Sequence, residues 1–227
     1  MDQKYSISVI LPAYNEEETV FRVLKRLEAV QKTLYIEIVF VDDGSNDRTF
    51  DIIKELSHIK VVHHCKNYGK GAAIRSGLKH STGDILIIQD ADLEYPPENI
   101  FKIVDPIVKK QADAVYGSRF LSSNMRMKVV HFLGNKILSA AASILYRTKL
   151  SDIMTGHKAF RKEVLHSLTL TRNGFEIEAE ITAKLLLSGF KLLEVPVSYY
   201  PRKIGKSKIN LKHGLTSLIT LIIEKFK

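Results

Sequence analysis

Short apolar runs recur along the first half of this chain, and each is followed by residues at helical spacing. Ser6 to Leu11 precedes a helical pattern over Glu16 to Gln31, with Val20, Val23, Leu24 and Leu27 in phase. Ile36 to Val41 leads into helical residues Asp47 to Leu56. Lys60 to His64 reads as a short strand before a helix over Lys70 to Lys79. Ile85 to Ile88 precedes a helix from Pro97 to Gln111, and Ala114 to Tyr116 is a fifth strand. A strand that is apolar throughout must be covered on both faces. The alternation therefore predicts an α/β fold, a mostly parallel sheet with helices on each side. With 227 residues, 45% of them hydrophobic, the chain can build one such core.

In sheets of this kind ligands bind beyond the carboxyl ends of the strands. The polar clusters fall there: Asn15-Glu16 after the first strand, Asp42-Asp43 after the second, Asp90 and Asp92 after the fourth. One shared site is the expectation. The second half is less regular. Helices are read over Val129 to Tyr146 and Ile177 to Leu187, a strand over Lys191 to Val195, and a basic loop over Pro196 to Lys208. Nothing linker-like divides the chain, so residues 1–210 are taken as one domain. Residues 211–227 form an amphipathic helix with Leu211, Leu215, Leu218, Ile222 and Phe226 in phase and lysines at its ends. Such a helix fits either a membrane interface or the protein's own core.

A formal net charge of +9 favours anionic partners. Acids at three strand ends argue against a nucleic-acid module. The lone Cys65 cannot form an internal disulfide, which points to a reducing compartment. The opening MDQKYSISVILPAYNEEE enters a strand-like run without the basic lead of a signal peptide, and no run reaches the roughly 18 apolar residues of a membrane span. A cytoplasmic protein, peripheral at the cytoplasmic face of a membrane, is expected.

The densest chemistry lies in QDADLEYPPE, residues 89–98. Hard divalent cations such as Mg²⁺ and Mn²⁺ take one or two carboxylates together with substrate phosphates. Alternate residues of an extended segment face one side, so Asp90, Asp92 and Glu94 could share a cation. Pro96-Pro97 starts a helix, and acids suit its dipole. That reading competes for Glu94 and Glu98, while Asp90 and Asp92 lie too far upstream for it. In VDDGSNDRT, turn and capping chemistry accounts for residues 44 to 49 but not for two acids directly after Phe40-Val41. A carboxylate there can accept from a base N–H or a ribose hydroxyl. Asn67-Tyr68-Gly69-Lys70-Gly71 matches no phosphate-loop pattern and reads as a turn with modest anion affinity. Arg119 follows the fifth strand. Arg202, Lys203, Lys206 and Lys208 crowd one loop beside the expected site, where phosphate recognition suits them. Neither His63-His64 nor Cys65 builds a metal cluster or a supported nucleophile.

VILPAYNEE, VDDGSNDRT, NYGKGAAIRSGLKHSTGDILIIQDADLEYPPE, YGSRF and the late GFEIEAEITAKLLLSGFKLLEVPVSYYPRKIGKSKI occur in one order and spacing. Together they resemble the family 2 glycosyltransferases of the GT-A fold, from Ser6 to about Lys208. The GSRF, FEIEAEI and R-x-x-G-x-S-K segments are most similar to the branch containing dolichol-phosphate mannosyltransferases and polyprenyl-phosphate glucosyltransferases. The processive synthases of the wider family carry a late Q-x-x-R-W, which a chain without Trp departs from. LPAYNEE also lacks the Gly-rich start of a sugar nucleotidyltransferase.

The resemblance implies an inverting transfer of a sugar from a nucleoside-diphosphate donor, with Mg²⁺ or Mn²⁺. Pro12, Ala13, Tyr14 and Glu16 would line the nucleotide pocket and Asp43 would read the base. Asp90 would touch ribose or metal, and Asp92 would hold the metal. Glu94 stands where relatives often carry Gln. Arg119, Arg202 and Lys208 would hold phosphates of donor or acceptor, and a further basic residue is implied between Arg126 and His131. Asp92 and Arg119 are thereby the expected catalytic pair. A polyprenyl phosphate acceptor would arrive as an anionic nucleophile and would require a membrane surface or a membrane partner protein. A sugar hydroxyl would instead require a base, for which Asp152, Glu176 and Glu178 are the candidates.

Overall fold

A computed structural model describes residues 5–123, 127, 129–202, 208 and 210–227. Seven strands make one sheet: β1 (Ile7–Ala13), β2 (Ile36–Asp42), β3 (Lys60–His63), β4 (Ile85–Gln89), β5 (Ala114–Ser118), β6 (His157–Arg161) and β7 (Leu192–Pro196), in the order β3-β2-β1-β4-β6-β5-β7. Strands β1 to β4 are mutually parallel and β7 is parallel to β5. Strand β6 runs antiparallel to both β4 and β5. No element is expected from the sequence at β6, because HKAFR is short and carries Lys158 and Arg161, so neither period is visible in it.

The helices are α1 (Val20–Gln31), α2 (Thr49–Ile53), α3 (Lys70–His80), α4 (Ile100–Val108), α5 (Val129–Leu145), α6 (Lys162–Ser167), α7 (Ile177–Leu187) and α8 (Leu211–Phe226). Alternate strand residues divide the core between the two faces, as the period of two requires. Ile7, Val9, Leu11, Ile38, Phe40 and Ile87 pack with Val23, Leu24 and Leu27 of α1 and Ile103 and Ile107 of α4. On the opposite face Ile10, Leu86, Ile88, Tyr116 and Phe160 pack with Ile74 of α3 and Ile177, Ile181 and Leu185 of α7. The register pairs Ala13 with Asp42 and Gln89 with His157. Because β6 is reversed, the segment entering it lies at the same end as the carboxyl termini of β1, β2 and β4.

The C-terminal helix is oriented against its own apolar stripe. Ser217, Thr220, Leu221 and Glu224 are buried, with Leu221 beside Leu138, Ala142 and Ala183. Leu211, Leu215, Ile219, Ile222, Ile223 and Phe226 are exposed. Val129, Val130, Leu133, Ile137 and Ile144 of α5 are exposed as well, and α5 packs against α8. No described helix is long and apolar enough to cross a membrane.

Candidate active site

A cavity of about 480 Å³ opens at the carboxyl ends of the strands. The eleven residues assigned by the resemblance to donor, metal or phosphate line it: Pro12, Ala13, Tyr14, Glu16, Asp43, Asp90, Asp92, Glu94, Arg119, Arg202 and Lys208; of the candidate bases Glu178 lines it as well, and Asp152 and Glu176 do not. Lys203, Lys206 and Arg126 lie outside the described residues.

Asp43 follows β2 and is buried. Its Oδ1 accepts from Tyr68 N at 3.0 Å and from His64 Nδ1 at 2.7 Å, and its Oδ2 accepts from Gly69 N at 2.7 Å. The turn 67–71 thus wraps the carboxylate in backbone donors. Neighbouring Asp42 pairs instead with His63 at 2.8 Å. Tyr14 OH accepts from Asn46 Nδ2 at 3.2 Å, which ties the first and second strand exits together.

The expectation that Asp90, Asp92 and Glu94 share a face by extended alternation is not met. Strand β4 stops at Gln89 and a turn follows, with Leu93 left-handed at φ 62°. The three carboxylates separate onto different partners. Asp90 Oδ1 lies 2.7 Å from Lys70 Nζ. Asp92 Oδ2 accepts from Arg202 Nη2 at 2.8 Å, and its Oδ1 closes the turn by accepting from Glu94 N at 3.0 Å. Glu94 accepts from Tyr199 OH at 3.1 Å and from Arg202 N at 3.2 Å. Among the described residues no three His, Cys, Asp or Glu side chains form a ready metal cage. Burial, with Asp92 close by, pushes the Glu94 carboxyl up to about 7. Burial pushes Asp90 up to about 6, opposed by Lys70 and reinforced by Asp92. The helix-start reading of Glu94 is replaced by this site contact. Glu98 does belong to the helix start, where it meets Arg26 at 2.5 Å.

Glu16 organises the mouth. Its Oε1 lies 2.6 Å from Lys208 Nζ and 3.0 Å from Arg202 Nη2, and its Oε2 accepts from Thr19 Oγ1 at 2.9 Å. Lys208 also donates to Tyr14 O. The basic loop therefore reaches back across the cavity to the first strand exit, which no local sequence signal shows.

On the other side Arg119 is buried. Its Nε and Nη2 donate to Asp152 at 2.7 and 2.6 Å, and Asp152 is fixed in turn by Glu194, which accepts from its N–H at 2.8 Å. The Tyr95 and Tyr199 rings flank the guanidinium, with centroids 5.9 and 5.5 Å away. The candidate bases are accordingly committed elsewhere. Asp152 holds Arg119. Glu178 is buried between Lys70 at 2.8 Å and Lys158. Glu176 accepts from Gly174 N at 3.1 Å and does not line the cavity. Lys70, which the sequence places where a turn leads into a helix, lines the inner wall.

The family model described as "Glycosyl transferase family 2" matches residues 8–169. The chain belongs to this family. It is 36% identical over 216 residues to a dolichol-phosphate mannosyltransferase of Pyrococcus furiosus, a match covering 91% of this chain and 60% of that protein. It is 29% identical over 234 residues to an undecaprenyl-phosphate 4-deoxy-4-formamido-L-arabinose transferase of Photorhabdus laumondii, covering 96% of this chain and 69% of the relative. The chain thus spans roughly two thirds of the length of these relatives. Among solved structures, glucosyl-3-phosphoglycerate synthase from Mycobacterium tuberculosis, in complex with Mn²⁺, uridine diphosphate and phosphoglyceric acid, superposes with a TM-score of 0.75 at 22% identity, covering 97% of this chain and 77% of that one. That likeness establishes the GT-A glycosyltransferase fold.

Proposed function

We propose that this family 2 glycosyltransferase moves a sugar, with inversion, from a nucleoside-diphosphate sugar to a polyprenyl phosphate. The observation that carries the reading is the convergence on one cavity of the eleven residues expected to bind donor, metal or phosphate. Two of the relatives are named for transfer involving dolichol phosphate or undecaprenyl phosphate, which supports the acceptor class.

The donor set fits a divalent cation. Hard oxygens from Asp90 and Asp92 suit Mg²⁺ or Mn²⁺, and a site completed by substrate phosphates needs no preformed cage. Both carboxylates already lie against positive groups, Lys70 and Arg202. When bound, the cation offsets charge growing on the leaving diphosphate. Asp43 accepts from the base. Arg202 and Lys208 line the mouth, where they meet phosphate. Asp152 occupies one edge of the Arg119 fork, and the remaining N–H groups can position an acceptor phosphate. A lipid monophosphate brings its own anionic oxygen and needs little help from a base, consistent with the engagement of Asp152, Glu176 and Glu178. The outward apolar stripe of α8 and the exposed residues of α5 form the surface that meets the membrane carrying such an acceptor.

Incubation with a panel of nucleotide sugars, Mg²⁺ or Mn²⁺, and either polyprenyl phosphate or soluble sugars tests the proposal. Transfer confined to soluble hydroxyl acceptors would remove the lipid-phosphate assignment. Asp92→Ala is expected to lower turnover by about a hundredfold or more, as loss of a group stabilising transition-state charge does. Full activity in that variant would remove the metal assignment.

A further inference from the structure

A buried chain of four alternating charges runs inward from the cavity. Asp90 Oδ1 lies 2.7 Å from Lys70 Nζ, Lys70 lies 2.8 Å from Glu178 Oε1, and Glu178 Oε2 pairs with Lys158. Lys158 and Glu178 are almost wholly inaccessible, and the Lys70 side chain is 10% exposed. The four residues come from four separate elements: the exit of β4, the start of α3, the first turn of α7 and strand β6.

Stability does not account for the chain. Taking charges out of water costs several kcal/mol per ion, and apolar replacements of a buried pair are often neutral or stabilising. Lys70 is also misplaced by local rules. It opens α3, where the helix dipole is positive and a cation is disfavoured. Its place is set from outside the helix. Gly69, at φ 100°, lets the start of α3 close on the backbone of Asn173, where a Cβ would overlap the Asn173 carbonyl. Gly71 N donates to that same carbonyl at 2.6 Å. This docking brings α3 up to the segment leading into α7 and so delivers Lys70 between Glu178 and Asp90. On the far side of Asp90 only glycine fits at position 156, because a Cβ there would overlap Oδ2.

We propose that Lys70 is a positioning residue of the transfer reaction: it clamps Asp90 against Gly156 and acts as a resident counter-cation until the donor arrives with its metal. Glu178 and Lys158 hold the ammonium in place from behind, so the chain from Asp90 to Lys158 is neutral overall. Without donor, Lys70 would already compensate the carboxylate offered to a divalent cation. With a diphosphate in the cavity, Lys70, on its wall, would face the added negative charge. Lys70 thereby couples cation binding to donor binding.

This inference rests on the reading of Asp90 and Asp92 as cation-site carboxylates. The test measures Mn²⁺ binding, by paramagnetic resonance of the free ion, separately from transfer. It compares the wild type with Lys70→Met, which leaves Glu178 paired with Lys158, and with Lys70→Gln, which keeps a hydrogen-bond donor between Asp90 and Glu178 without the charge and guards against misfolding. With an internal positive charge removed from beside Asp90, Mn²⁺ affinity without donor should rise by about fivefold or more, while kcat falls by about a hundredfold. A merely structural lysine would weaken Mn²⁺ binding and turnover together, or leave Mn²⁺ binding unchanged, and either result in Lys70→Gln overturns the proposal. If the wild type binds no Mn²⁺ with either UDP or GDP, the cation-site reading itself fails and the role of Lys70 fails with it. Mn²⁺ binding in the wild type without tightening in the variants removes Lys70 alone.

Discussion

The two sides of the cavity hold their charges differently. On the β1–β2 side, Asp43 is surrounded by Tyr68 N, Gly69 N and the His64 ring. Backbone N–H donors stabilise the carboxylate without cancelling its charge, which stays available to a ligand. On the β5–β6 side, charges are cancelled in place: Arg119 by Asp152, Lys158 by Glu178. The first side presents charge outward and the second uses charge to fix geometry. Damage should therefore appear as lost affinity on the first side and as lost stability on the second.

The largest stability effect should come from Asp152→Ala, which strands a buried guanidinium between aromatic rings. Breaking a buried pair in this way costs about 3–5 kcal/mol, and thermal unfolding should show a melting point lower by about 10 °C or more for a chain of this size. A loss of activity with an unchanged melting point would contradict the contrast. His157 comes next. It is buried in β6, stacked at 5.8 Å on Tyr95, and neither ring nitrogen has a partner among the described residues. Burial pushes its imidazolium down to about 3 from the usual 6.5. The unfolded chain then binds a proton that the folded one refuses. Stability contributed by neutral His157 is complete above about pH 6.5 and falls as the pH drops toward 3, by about 2 kcal/mol at pH 5. His157→Phe should remove that part of the acid sensitivity, measured by denaturant unfolding at pH 7 and pH 5; an equal acid loss in the variant would rule it out. The smallest effect in energy falls on the other side. Asp43→Asn removes the charge and turns an amide N–H toward a donor that the carboxylate satisfied, so donor KM should rise about tenfold, about 1.4 kcal/mol, with a smaller fall in melting point than in Asp152→Ala. A lower melting point with normal KM would reverse the assignment of the two sides.

The same contrast decides what the sequence could show. The parallel half is built from continuous apolar runs, and its acids sit directly after them, so strand, exit and site can be read locally. Glu16, Asp43, Asp90 and Asp92 are legible for that reason. The partners on the other side are distant in the chain: Arg119 and Asp152 are 33 residues apart, Lys158 and Glu178 are 20 apart, and Arg202 and Asp92 are 110 apart. No periodicity links such pairs. The hidden β6 has the same origin, since Lys158 inside it is a buried cation that makes a core strand look like surface. At α8 the stripe was legible but its direction was not, because Ser217, Thr220 and Glu224 occupy the inward face.

The antiparallel β6 also has a consequence for the growing chain. By residue 89 the four parallel strands are all synthesised, but the outer edge of β4 has no neighbour until β6 appears at His157. Strand β5, made earlier, cannot join the sheet except through β6, because β7 pairs with β5 alone. For the length of α5 and its flanking loops the ribosome therefore extends a half-built sheet with an open hydrogen-bonding edge. Open edges of this kind are templates for pairing with other chains. The strand hardest to see in the sequence is the one whose arrival closes that edge.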